Sequence, residues 1–311
     1  MVMRIIIALL VAAAGAWTAI TYPMIGDVLY RTTMATEAFV YGFDKRRKRL
    51  DELDVVYFEA ENTDKPVILM LHGYSADKTV WLRFARHFTD EFRVVIPDMA
   101  GHGETEFNSA WDFSVEAQSK RLVDLLDAMN IDAVHIIGNS MGGFISADFA
   151  LRFTERTRTV ALVDPAGVAS PVPSEMEKML AAGRNPFLVN NREQFSEFFS
   201  MTMAKPPWLP GVVLDAMAQD YQQRKPQLDK IYEDLQRSAS LEDRLSQLNK
   251  PTLLLWGRED KLIHVSSVDI WRANVPQIEV TIWDGIGHMP MLEIAGESAE
   301  RYRQFLVEQT P

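Results

Sequence analysis

Ser140 stands between two glycines in Gly138-Asn-Ser-Met-Gly142. The β-branched run Val134-His-Ile-Ile137 precedes it, and the helix-like stretch Phe144-Ile-Ser-Ala-Asp-Phe-Ala-Leu151 follows. Strand, tight turn and helix form the context in which G-x-S-x-G presents a nucleophile. The glycines leave room for a strained turn that lifts the hydroxyl clear of the strand. The helix then aims its free N–H groups at the same spot. A serine hydroxyl attacks only when a base takes its proton and a third group fixes the tautomer of that base. His288, in Asp284-Gly-Ile-Gly-His-Met-Pro290, sits in a glycine- and proline-flanked loop just past a predicted strand. Asp260, in Trp256-Gly-Arg-Glu-Asp-Lys261, also follows a strand end. Asp164 and Glu259 are the alternatives for the acid, Asp164 being the main rival because it too follows a strand. Asp98 is better placed to brace the loop Gly101-His-Gly103. Among the other histidines, His135 lies inside a strand and His72 suits a structural role, whereas His87, His102 and His264 have no second feature beside them. The backbone N–H groups of Tyr74 and Met141 are the expected oxyanion donors, each worth roughly 3 kcal/mol in the transition state. No metal-ligand spacing is present, so neither a metal nor any other cofactor is expected.

These residues need a sheet to hold them. Short apolar runs at 54–59, 67–71, 93–97, 133–138, 159–163, 252–257 and 278–283 read as strands. Helical spacing recurs after Asp77 and Ser114, near 266–274, and through Phe305 and Val307. Strands alternating with helices predict an α/β fold with a mainly parallel, doubly wound sheet. Ser140, Asp260 and His288 would then share the carboxyl edge, where open α/β sheets bind ligands. Residues 51–164 and 249–311 form this core. Between them, residues 165–248 show no buried strand and read as a helical cap inserted after the sixth strand. The cap is rich in Met, Phe and Pro; most of its apolar side chains should pack it onto the sheet. Phe187, Leu188, Phe198 and Trp208, together with Met289 beside His288, are the expected substrate contacts. Met-rich and aromatic walls suit a flexible acyl chain. At ~0.8 kcal/mol per buried methylene, such a pocket favours medium-chain over acetyl esters.

The formal charge of −11 argues against a nucleic-acid partner. With no cysteine, thiolate chemistry and disulfides are absent. Residues 1–50 differ from the acidic body, carrying seven Lys/Arg against three Asp/Glu. No charge occurs between Arg4 and Asp27, a run long enough to cross a bilayer at ~1.5 Å per residue. Three readings stay open: a membrane anchor, an export signal cleaved near Ala14-Gly-Ala16, or a buried core helix, the last disfavoured because the run precedes the fold. The run Lys45-Arg-Arg-Lys-Arg49 closes this leader as a basic linker suited to an anionic membrane surface, or simply to solvent.

The chain resembles α/β-hydrolases over residues 52–308. It looks more narrowly like bacterial lipases related to the mammalian membrane-anchored monoacylglycerol lipase. The matching stretches in the core are Ile68-Leu-Met-Leu-His-Gly-Tyr-Ser-Ala-Asp-Lys78, Pro97-Asp-Met-Ala-Gly-His-Gly103, Gly138-Asn-Ser-Met-Gly-Gly143, Val163-Asp-Pro-Ala-Gly167, Trp256-Gly-Arg-Glu-Asp260 and Gly287-His-Met-Pro290. In the cap they are Asn185-Pro-Phe-Leu188 and Lys205-Pro-Pro-Trp-Leu-Pro210. The resemblance implies Ser140, Asp260 and His288 as a triad and a fatty acyl ester as substrate. It is also compatible with hydrolases that split carbon–carbon bonds of ring-fission products, which share the elbow but carry a different loop in place of residues 72–77. A non-catalytic hydrolase-like protein would show a broken triad.

Overall fold

The computed structural model describes residues 22, 24–61 and 63–309. The apolar run before Tyr22 and its suggested cleavage site lie outside the described residues. Among the described residues, eight strands form one sheet: β1 (Asp44–Arg49), β2 (Asp54–Ala60), β3 (Val67–Leu71), β4 (Arg93–Pro97), β5 (Val134–Asn139), β6 (Thr157–Val163), β7 (Thr252–Gly257) and β8 (Glu279–Trp283). Their order is β1-β2-β4-β3-β5-β6-β7-β8. β1 pairs antiparallel with β2, and β2 with β4, whereas every pair from β4 to β8 is parallel.

Side-chain alternation along the strands divides the core in two. Leu69, Leu71, Ile136, Leu162, Leu254 and Trp256 face one side. There they meet Leu122, Leu125 and Leu126 of α3 (Val115–Ala128), and Ile145 and Phe149 of α4 (Met141–Arg152). Ile68, Met70, Ile137, Val163, Leu253 and Leu255 face the other side, against Phe84 of α2 (Leu82–Ala85) and Tyr302 and Phe305 of α11 (Ala295–Gln309), the helix that follows α9 (Ser267–Asn274) and α10 (Pro290–Glu293). Burial on both faces is why the central strands are unbroken apolar runs. Ser114 caps α3 by accepting the Ala117 N–H, and Asp77 accepts the Thr79 N–H at the start of the short 3₁₀ turn before α2.

The basic run at 45–49 is not a linker but β1, the edge strand. It carries no apolar alternation because its side chains lie at the surface, held by carboxylates: Lys45 to Glu104 (2.9 Å), Arg46 to Glu59 (3.1 Å), and Arg47 and Arg49 to Asp54 (both 3.4 Å). Charges along an exposed edge discourage further strand pairing. With β1 included, β6 is the sixth strand, and the segment after it holds α5 (Glu175–Ala181), α6 (Arg192–Thr202), α7 (Gly211–Gln223) and α8 (Lys225–Gln236). This segment has its own small core of Val189, Phe195, Phe198, Tyr221 and Leu228.

Residues 24–40 form a helix, α1, ahead of the sheet. Its buried Ala38 joins the α2/α11 side of the core. Glu37 pairs with Arg83 of α2 (2.7 Å), and Tyr30 hydrogen-bonds Thr79 (3.2 Å). At its other end, Gly26 lies so close to Val212 of α7 that a Cβ would be 2.0 Å from the Val212 carbonyl oxygen. α1 therefore bridges core and cap. No helix among the described residues is long and apolar enough to cross a membrane.

Candidate active site

β5 runs without a loop into Ser140, and Ser140 runs directly into α4. Ser140 adopts φ 55° and ψ −118°, a conformation that L-residues reach only when the surroundings impose it. The tightness of the turn explains its glycines. A Cβ on Gly138 would lie 2.1 Å from the Gly142 carbonyl oxygen, and one on Gly142 would lie 2.3 Å from that of Leu71. The Ser140 N–H donates to Val163 O (3.0 Å) and its carbonyl accepts from Ala166 N–H (3.1 Å), which fastens the elbow to the end of β6. Met141 is the first residue of α4, so its N–H belongs to the helix turn that has no intrahelical acceptor.

His288 and Asp260 meet at the same edge of the sheet. His288 Nδ1 lies 2.7 Å from Asp260 Oδ2, both groups buried. Asp260 Oδ1 accepts the N–H groups of Leu262 (2.8 Å) and Ile263 (3.1 Å), which leaves Oδ2 for the imidazole. The His288 loop is held from below: Asn139 Nδ2 donates to the His288 carbonyl (2.9 Å), and Glu293 Oε1 accepts the Gly287 N–H (2.8 Å). Ser140 and His288 border one cavity of about 740 Å³, within the range of small-molecule sites. Asp164 is also drawn in: it, Asp260 and His288 offer ligand atoms within 4.8 Å of one another. A metal would need those atoms free, but His288 Nδ1 and Asp260 Oδ2 are engaged with each other.

The loop after β3 completes the floor. Gly73 presses on the elbow, where a Cβ would sit 3.1 Å from Ser140 Cβ, so the Gly73–Tyr74 peptide passes beside the serine. His72 fixes this loop. Its Nε2 accepts the Met99 N–H (3.0 Å), which puts the ring proton on Nδ1 for the Gly73 carbonyl (2.8 Å). Burial pushes the His72 imidazole below its usual range, so it stays neutral in this role. Asp98 accepts from Lys78 N–H (2.8 Å), Lys78 Nζ (2.6 Å) and Glu104 N–H (2.8 Å), and so braces the loop through Gly101-His-Gly103. The Tyr74 phenol donates to Leu228 O of α8 (2.9 Å). His135 is satisfied by Thr159 (2.9 Å), within the sheet.

Of the expected substrate contacts, Phe187, Phe198 and Met289 line the cavity beside Tyr74 and Met141. Leu188 and Trp208 do not: they are 41% and 85% exposed and turn to solvent. Trp208 lies in the run Lys205-Pro-Pro-Trp-Leu-Pro210, where the prolines carry the chain over the surface and leave its ring unpacked. The neighbouring Pro207 and Leu209 face the cavity instead. The least expected wall is α1, which contributes Tyr30, Met34 and the paired Asp27 and Arg31 (2.7 Å). Beside it stands a second ion pair, Arg224 and Asp220 (2.7 Å), at the partly exposed end of the cavity. The cavity thus runs from an apolar region under the cap to a polar one at α1.

Comparison with known proteins agrees with this geometry. A family profile described as the alpha/beta hydrolase fold matches residues 66–294. The chain belongs to the α/β-hydrolase family. Among curated relatives of this hydrolase, Lipase 1 of Psychrobacter immobilis is 33% identical over 81% of the chain and 80% of its own length. Monoacylglycerol lipase ABHD6 of Mus musculus is 28% identical over 80% of the chain and 78% of its own. Among solved structures, a membrane phospholipase A described as a bacterial virulence factor superposes with a TM-score of 0.89. It is 31% identical, and the match covers 99% of both chains.

Proposed function

We propose that the hydrolase cleaves fatty acyl esters through an acyl-enzyme, with Ser140 as nucleophile, His288 as general base and acid, and Asp260 as the partner of His288. The observation that carries this reading is the shared cavity: a strained serine and an Asp-bonded histidine border one space whose walls under the cap are aromatic and methionine side chains. The chain is a carboxylic ester hydrolase of the lipase type, in keeping with its lipase-named relatives. Ser140 attacks the ester carbonyl as His288 takes its proton, and Asp260 stabilises the imidazolium. The N–H groups of Met141 and Tyr74 take the charge that develops on the carbonyl oxygen. The alcohol departs with the proton from His288, and water repeats the sequence on the acyl-enzyme. Ser140→Ala should lose at least roughly 1,000-fold in kcat. Rates on p-nitrophenyl esters should climb from acetyl to octanoyl, and a flat or falling series would remove the acyl-pocket reading. Ring-fission dienones serve as the counter-substrate, and turnover of these in preference to esters would favour carbon–carbon cleavage.

The same reading places the hydrolase beside a membrane through its N-terminal segment. Its support is the uncharged run that ends at Gly26 and the outward apolar side chains of α1, with Met24 61%, Val28 62% and Phe39 81% exposed. Because β1 belongs to the sheet and α1 to the cavity wall, the informative truncation removes only residues 1–22. The full chain should pellet with membranes and the truncated one should not. Equal partition of the two would end this part of the proposal.

A further inference from the structure

Asp164 is a buried acid that the acyl-transfer scheme leaves unused, yet it lies against the residues that scheme employs. It follows the last residue of β6 with φ 44°, a left-handed conformation for a non-glycine residue. Its N–H donates to Leu255 O (2.9 Å) and its Oδ1 accepts the Gly257 N–H (2.9 Å), so backbone and side chain both tie β6 to β7. Its Oδ2 is buried and receives no N–H or O–H donor from the described residues. Two carboxyl groups this close in a dry site do not both ionise without a cation between them. The titratable groups facing Asp164 are Asp260, His288 and Glu293, and none carries a fixed positive charge. Asp260 has donors on both oxygens, from Leu262, Ile263 and His288, whereas Asp164 has one. The negative charge therefore belongs on Asp260 and the proton on Asp164. Burial, reinforced by the Asp260 charge, holds the Asp164 carboxyl well above the usual carboxylate range.

We propose that Asp164 is a positioning residue, a neutral acid whose Oδ2–H is donated to the Asp260 carboxylate and keeps it aligned with His288 Nδ1. This rests on the acyl-transfer roles given above to Ser140, His288 and Asp260. The test compares Asp164→Ala and Asp164→Asn with Ser140→Ala and Asp260→Asn in the full chain, with the active sites of the variants that keep Ser140 titrated by a fluorophosphonate and Ser140→Ala normalised to protein concentration. Asparagine can donate to Asp260 and accept from Gly257; alanine can do neither. Asp164→Ala should lower kcat about 10- to 100-fold with little change in KM. It should also move the acid limb of kcat/KM to higher pH, because an Asp260 carboxylate relieved of a donor holds the imidazolium proton more tightly. Asp164→Asn should recover most of the lost kcat and return the limb. Three results overturn the proposal: an unmoved limb and kcat in Asp164→Ala, a lowered melting temperature with no change in the limb, or an equal loss in the asparagine and alanine variants. The last would mean that a charge is needed at position 164. Failure of the underlying scheme shows separately, as ester turnover by Ser140→Ala or unimpaired turnover by Asp260→Asn.

Discussion

Gly142→Ala tests the elbow most directly, because the structure specifies what the added methyl group would meet. Its Cβ would lie 2.3 Å from the Leu71 carbonyl oxygen and 2.6 Å from that of His72. Carbon–oxygen contacts in proteins close to about 3.3 Å at best, so the gap must open by about 1 Å. Both obstacles are main-chain atoms at the end of β3, where no side chain can rotate aside. The start of α4 must therefore move, and Ser140 moves with it. A displacement of about 1 Å in a reacting group costs on the order of 100-fold in rate. Overpacking at this point should also destabilise the fold by about 1–3 kcal/mol. The assay is steady-state hydrolysis of a p-nitrophenyl ester, normalised to intact active sites, with thermal unfolding measured alongside. Two companions calibrate it. Gly73→Ala meets Ser140 Cβ at 3.1 Å and Asn139 Oδ1 at 3.3 Å and should cost less, while Gly296→Ala meets nothing within 4 Å and should be silent. Wild-type kcat and melting temperature in Gly142→Ala would refute the reasoning, since the elbow could not then press on β3.

Asn139→Ala removes a buried amide shared by the Val163 and His288 carbonyls (3.1 and 2.9 Å). Val163 O keeps the Ser140 N–H, so one orphaned carbonyl should cost about 1–3 kcal/mol, measured by denaturant titration, with kcat falling as the His288 loop loosens. Tyr74→Phe deletes only the bond to Leu228 O; it should lower stability by about 1 kcal/mol and leave kcat within a few-fold, and a collapse in kcat would show that the phenol acts on substrate. Phe198→Ala opens the cavity beside Phe187 and Tyr221, so the acyl-length optimum across the ester series should move to longer chains. The raised folded-state value of Asp164 fixes the sign of a stability effect. Between the unfolded value near 3.9 and the folded one, the folded state binds the extra proton, so stability falls as pH rises through that window. Asp164→Asn cannot titrate, so its unfolding free energy relative to the parent should improve from about pH 4 upward.

Ser140, His288 and Asp260 were legible as candidates because each is announced locally. A glycine-flanked serine after a β-branched run, and an Asp and a His just past strand ends, are patterns within a few residues. The parallel sheet was legible too, since buried strands read as unbroken apolar runs. β1 escaped because an edge strand made of Lys and Arg carries no period-2 apolar signal. Its stability comes from carboxylates elsewhere in the chain, such as Glu59 and Glu104. Asp164 was visible only as a competitor to Asp260; that the two are neighbours depends on the pairing of β6 with β7, which the sequence does not print. Trp208 misled for the opposite reason, as an aromatic residue suggests burial while its proline-rich surroundings hold it in solvent.

The cavity walls were the least legible part, and the cause lies in how they are built. Tyr30 and Asp27 come from α1, Tyr74 from the loop after β3, Phe187 and Phe198 from the cap, and Met289 from the loop after β8. No short window of sequence contains two of these segments. α1 mixes apolar and polar residues because it meets three surroundings at once: Ala38 faces the core, Tyr30 and Asp27 face the cavity, and Phe39 faces outward. Such a helix loses the clean amphipathic stripe by which a surface helix is recognised. Its position between core and cap ties the N-terminal segment to the site. A change at the outward face of α1, such as Val28→Asp, should weaken membrane sedimentation without altering kcat on a soluble ester. A change at its inner face, such as Met34→Ala, should do the reverse. If both variants altered the same property, α1 would not separate the two roles.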